Sequence, residues 1–81
     1  MKLQKLDNRF KYFKYGFTHL LILRIHTEAE IAEKYLTDIY GKQPYLERDY
    51  IHHPWFIHWS AIQHKVYVKD EKAIMMIQLM I

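Results

Sequence analysis

The 81 residues are 51% hydrophobic and 16% aromatic, with 12 Lys and Arg against 9 Asp and Glu. This is the composition of a single domain spanning 1–81 that closes a core, not of a disordered tail, although a chain this short hides only about 60–65% of its unfolded surface. With no cysteine, disulfides and thiolate chemistry are ruled out and the redox compartment stays open, with a reducing cytoplasm as the default expectation.

The net charge of +3 hides an asymmetry. Residues 1–26 carry six cations and one anion, residues 27–50 three cations and six anions, and residues 51–81 three cations and two anions. A basic end and an acidic middle can present two faces of opposite sign.

In the first seventeen residues Lys2, Lys5, Arg9, Lys11 and Lys14 alternate with Phe10, Tyr12, Phe13, Tyr15 and Phe17, opposed only by Asp7. Cations spaced among flat rings suit a phosphate backbone with exposed bases. They equally suit an edge strand whose rings belong to the core and whose lysines guard against aggregation. The nucleic-acid reading nominates Lys2, Lys5, Arg9, Lys11, Tyr12 and Lys14.

Phe17–Ile25 follows as the clearest strand, apolar on both faces at its middle and so expected to be central. Phe10–Tyr15 is expected to continue it or to pair beside it, with a bend at Gly16. The apolar run is nine residues with His19 inside, and a membrane span needs about 20, so no membrane partner is expected. A helix over 28–40 comes next. Thr27 and Glu30 have the spacing of a capping box, Ile31, Ala32, Tyr35, Leu36, Ile39 and Tyr40 form an apolar stripe, and Gly41 suits a left-handed stop. Gly41–Pro54 is a long loop. Trp55–Ser60 and Lys65–Lys69 read as strands. Residues 73–81 suit either a second helix or a last strand, and Asp70-Glu71 as a start signal tips the balance to helix. The fold class is therefore α+β: a small antiparallel or mixed sheet of three to four strands packed against one main helix. The expected core is Leu20, Ile22, Leu23, Ile25, Ile31, Tyr35, Leu36, Ile39, Ile57, Val66, Val68, Ile74 and Ile77.

No motif for catalysis stands out. Ser60 is the one serine and lacks nucleophile-elbow glycines, and the two glycines cannot build a phosphate loop. His52, His53, His58 and His64 leave room for a small histidine-dependent nuclease, but they lack metal-ligand spacing, and no cofactor or metal is expected. The chain is read as no enzyme. Trp55 and Trp59, if exposed, are natural anchors for a protein partner. The loop set Tyr45, Glu47, Asp49 and Tyr50 and the helix acids Glu28, Glu33 and Asp38 complete a candidate recognition surface. The run 73–81, polar only at Gln78, suits a homodimer seam as well as a core.

The ending Val66-Tyr-Val-Lys-Asp-Glu-Lys-Ala-Ile-Met-Met-Ile-Gln-Leu-Met resembles the endings of small accessory proteins of tailed phages, in which a hydrophobic strand is followed by an Asp, an Ala and an apolar segment with a closing Leu. The matching positions are Asp70, Ala73, Ile77 and Leu79, about fifteen residues of the chain are covered, and the Met80-Ile81 end departs from the pattern. The resemblance carries no catalytic residues. It implies a habit of binding a host enzyme, including defence nucleases of the CRISPR type, or of binding nucleic acid. The leading expectation is a non-catalytic interaction protein, a phage-type inhibitor of a host protein. The alternative is a small nucleic-acid-binding module using residues 2–17.

Overall fold

The structure is a computed structural model and describes residues 2–81. Four antiparallel strands form one sheet: β1 (Lys2–Lys5), β2 (His19–Leu23), β3 (Trp55–His58) and β4 (His64–Val68), in the order β1-β2-β4-β3. Helices α1 (His26–Tyr40) and α2 (Glu71–Met80) pack against each other and against one face of the sheet. This is the α+β class expected, with the segment after Asp70 forming a helix.

Strand alternation sorts the side chains into two cores. Leu21 and Leu23 of β2, Trp55 and Ile57 of β3, and Val66 and Val68 of β4 face the helices, meeting Ala29, Ala32 and Leu36 of α1 and Ala73, Ile74 and Ile77 of α2. On the opposite face Leu20, Phe56 and Tyr67 bury themselves with Leu6 and Phe17. β2 is thus covered on both faces at its centre, as its unbroken apolar run demands. The second core exists because two short 3-10 turns, Lys11–Tyr15 and Glu47–His52, bring rings over the sheet.

Several local expectations are corrected. Residues Lys11–Tyr15 form a 3-10 turn, not a strand, and the chain's first strand is Lys2–Lys5. The turn stops at Gly16, whose φ of 98° is left-handed. Helix α1 starts one residue before Thr27: the Ile25 carbonyl accepts from the Glu28 and Ala29 amides, and no side chain caps the end, so the capping box does not form. Gly41 ends α1 with a positive φ of 87° but an extended ψ of 170°. Its amide donates to the Thr37 carbonyl at 2.9 Å. Of the expected core, Ile25, Ile31 and Ile39 are exposed, and Ile22 and Tyr35 are half-buried. The sheet-facing stripe is Ala29, Ala32 and Leu36, of which Ala32 and Leu36 belong to the expected stripe.

The start of α2 matches its sequence signal: Asp70 Oδ1 accepts from the Lys72 amide at 2.9 Å. The Tyr40 hydroxyl donates to Asp70 Oδ2 at 3.5 Å, tying the end of α1 to the start of α2. The β3 edge is blunted by Gln43, whose Oε1 accepts from the Ile57 amide at 2.8 Å.

Candidate functional site

The basic-aromatic N-terminus is dispersed by the fold. Phe17 is fully buried, and Tyr12 stands edge-on to Phe56 and Tyr67 with ring centroids 4.8 and 4.9 Å away. Beneath it Tyr50, Phe56 and Tyr67 stack in a column at 4.1 and 4.5 Å. Rings engaged in this way offer no platform to bases. Arg9 is held by Asp7 at 2.8 Å and Lys11 by Glu47 at 3.2 Å, and each cation keeps its carboxyl partner below the usual range. Lys14 leans over its neighbour Tyr15, 5.1 Å from the ring centre. Lys2 and Lys5 lie apart from these, on β1.

Lys69 fixes the loop to this cluster. Its Nζ donates to the Tyr50 and Ile51 carbonyls, both at 2.8 Å, and sits 4.9 Å over the Phe17 ring. Burial pushes the ammonium below its ordinary value. Sequence reading missed this residue because a lysine at a strand end ordinarily points to water.

The tryptophans and histidines have structural places. Trp55 is buried in the helix-facing core, where its Nε1 donates to the Gly41 carbonyl at 3.0 Å. The exposure that a partner anchor needs is therefore not met at Trp55. Trp59 is half-buried against His64 and His26, with centroids at 4.8 and 5.2 Å. His64 is buried, His52 and His58 are exposed, and His53 is half-buried with Nε2 lacking a partner. Burial, helped by the Lys69 charge, lowers the His53 imidazole. Among the described residues no group of three or more His, Asp or Glu is placed to hold a metal ion.

The acidic candidates fall in two places. Glu28, Glu33 and Asp38 lie on α1, with Asp38 pairing Lys34 at 3.6 Å. Glu47 and Asp49 lie on the second 3-10 turn, where Glu47 also accepts from the Tyr15 hydroxyl at 3.2 Å. Tyr45 is 99% exposed, and Tyr50 is part of the ring column. The helix acids thus sit on the element packed over one face of the sheet, and Glu47, Asp49 and Tyr50 on a turn over the other.

Two surfaces do stand out. The first is the outward side of α2, where Leu79 is 81% exposed, Met75 56%, Met80 47% and Met76 44%. The second is the uncovered half of the sheet face opposite the helices. There the register places Lys2, Ile22, Lys65 and His58 in one row across all four strands. Its signal in the sequence is the i, i+2 spacing of Ile22 and Arg24 in a strand otherwise apolar, which becomes meaningful only once the neighbouring strands are known. No protein-family model, curated protein or solved structure matches the chain.

Proposed function

We propose that this is a non-catalytic interaction protein that docks on a protein partner through the outward face of α2. The observation that carries the reading is that α2 keeps four large apolar side chains on its solvent side, next to the charged pair Glu71 and Lys72 of its first turn and Gln78. Ala73, Ile74 and Ile77 face the core, while Met75, Met76, Leu79 and Met80 face out. Large apolar side chains gathered on an exposed helix face mark a contact surface, and methionine-rich faces adapt to a partner's shape. The two helices carry five carboxylates (Glu28, Glu30, Glu33, Asp38, Glu71) against Lys34 and Lys72. The excess of carboxylates on the two helices favours a partner whose apolar groove is edged by Lys or Arg. A second copy would bring two helix pairs of like net charge together, which disfavours the homodimer through 73–81. The resemblance to phage accessory proteins rests on this same segment. It supports a host protein, such as a defence nuclease, as the partner, with inhibition by steric blocking as the outcome.

The test is capture from host lysate, with and without added nuclease, using the wild-type chain and the Met76→Glu/Leu79→Glu variant, followed by titration of the purified captured protein. Both positions are exposed, so folding should change by no more than about 0.5 kcal/mol per site. Loss of a stoichiometric complex in the variant supports the reading. Equal binding by the variant, or a wild-type homodimer that the variant dissociates, refutes it.

A further inference from the structure

We infer that the open half of the sheet face binds the phosphate backbone of single-stranded nucleic acid, at a site that is separate from the docking face of α2 and shares only Lys2 with the N-terminal set that the sequence nominates. The row Lys2, Ile22, Lys65 and His58 crosses the four strands, and adjacent strands lie about 4.8 Å apart. The two lysines are thus about 10 Å apart on either side of Ile22. Arg24, two residues beyond Ile22 on the same face, and Gln63 close a hollow of about 480 Å³ together with Lys2 and Ile22. A smaller hollow of about 130 Å³ adjoins it, sharing Gln63 and lined also by His58, Ser60 and Lys65.

Three features point to a polyanion. First, Lys2, Arg24 and Lys65 have no carboxylate within 4.0 Å among the described residues, in contrast to Arg9 and Lys11. Second, no strand of the sheet contains an Asp or Glu, so the face has one sign of charge. Third, the Ser60 hydroxyl is engaged with the backbone of Gln63, accepting from its amide at 3.1 Å and donating to its carbonyl. This local turn holds Gln63 at the rim, where its amide group can bond to phosphate or to a base edge.

The choice of a single strand follows from Ile22. It is half-buried and flanked by lysines, and an unpaired base can lie on it while its phosphates reach the cations. A duplex would present phosphates to the lysines and leave this apolar floor without a partner. Phe56 and Tyr67, two residues along from His58 and Lys65 on the same face, are covered by Tyr50 and Tyr12, so binding rests mainly on phosphate contacts and should be weakly dependent on sequence.

The experiment is fluorescence anisotropy of the full chain with a labelled oligo-dT of about 15 nucleotides, within the span known for single-strand sites. Three phosphate contacts on a single strand give a slope of log K against log salt of about −2, which is roughly an eighteenfold loss between 50 and 200 mM salt. Arg24→Gln and Lys65→Gln should each make the slope shallower by about 0.7, while Lys14→Gln leaves it unchanged. Met76→Glu/Leu79→Glu should bind the oligonucleotide like the wild type, which separates this site from the docking face. Absence of binding at 50 mM salt overturns the inference. So does equal or tighter binding of a duplex of the same length, a stronger effect of Lys14→Gln than of Arg24→Gln, or tighter binding of a multiply phosphorylated peptide than of oligo-dT.

Discussion

Tyr12→Ala separates a ring that builds the fold from a ring that reads a base. In the sequence Tyr12 belongs to a basic-aromatic stretch suited to nucleic acid, but in the structure its ring is edge-on to Phe56 and Tyr67 at 4.8 and 4.9 Å. Each such pair contributes about 0.5–1.5 kcal/mol beyond its buried area. A half-buried ring adds about 1 kcal/mol of apolar transfer, taking half of the usual value for a full side chain. Truncation should therefore cost about 2–4 kcal/mol, from a total stability of about 4–12 kcal/mol for a chain of this length. In a thermal melt this is a drop of about 10–30 °C, since 1 kcal/mol shifts a small domain by about 4–8 °C. Urea titration followed by circular dichroism gives the free energy directly. Tyr12→Phe keeps the ring pairs and should stay within about 0.5 kcal/mol of wild type. The reasoning fails if Tyr12→Ala changes stability by less than about 0.5 kcal/mol while weakening oligonucleotide binding tenfold, for the ring would then face a ligand and not the sheet.

Two further outcomes bear on the scaffold. Asp70→Ala should cost about 1 kcal/mol through loss of the acceptor for the Lys72 amide, whereas Asp70→Asn should lose much less; equal losses in thermal melts would place the stabilisation in the contact with Tyr40 instead. His53 gives a pH signature. Its folded value is held below the ordinary one near 6.5 by burial first and Lys69 second, so the unfolded chain takes up the proton earlier as pH falls. Stability is then full above about pH 6.5 and declines as the pH drops from there toward the folded value. The depressed carboxyls of Asp7 and Glu47 act lower, their contribution being lost as pH falls below about 4 through their folded values. Melts of His53→Phe from about pH 7 down to about pH 3 should lack the upper decline while keeping the acid one; an unchanged upper decline would assign it to another group.

What is legible in the sequence is what local spacing determines. The β2 run, the α1 stripe and the Asp70 start signal all concern residues within a few positions of each other, and each yields its element within two residues. The second core is not local. Phe17, Phe56, Tyr67, Tyr12 and Tyr50 come from five separate segments, and only the strand order β1-β2-β4-β3 brings them together. Without that order, rings beside lysines look like a ligand platform. The same blindness hides Lys69, whose acceptors lie 18 and 19 residues away. On α1 the stripe is legible but its direction is not. Ile31 and Ile39 meet the apolar spacing yet are exposed, while Ala29, Ala32 and Leu36 face the sheet, because the spacing alone does not say which side of a broad stripe the strands will cover.

The two proposed surfaces follow from how much cover the chain can build. A four-stranded sheet has two faces, and an 81-residue chain supplies two helices for one and two single turns for the other. The turns reach Phe56 and Tyr67 but stop short of the next row, and there the sequence places lysines at Lys2 and Lys65 instead of more rings. A row left to water is stable with charges, so this half of the sheet needs no partner to fold, and its recognition is electrostatic and salt-dependent. The outward side of α2 is the opposite case. It borders solvent but carries Met75, Met76, Leu79 and Met80, where glutamates and lysines would be at no cost to the core. Apolar residues kept at positions that packing does not require are the stronger argument for a partner, which is why the docking face is assigned to α2 and the sheet face is a second site.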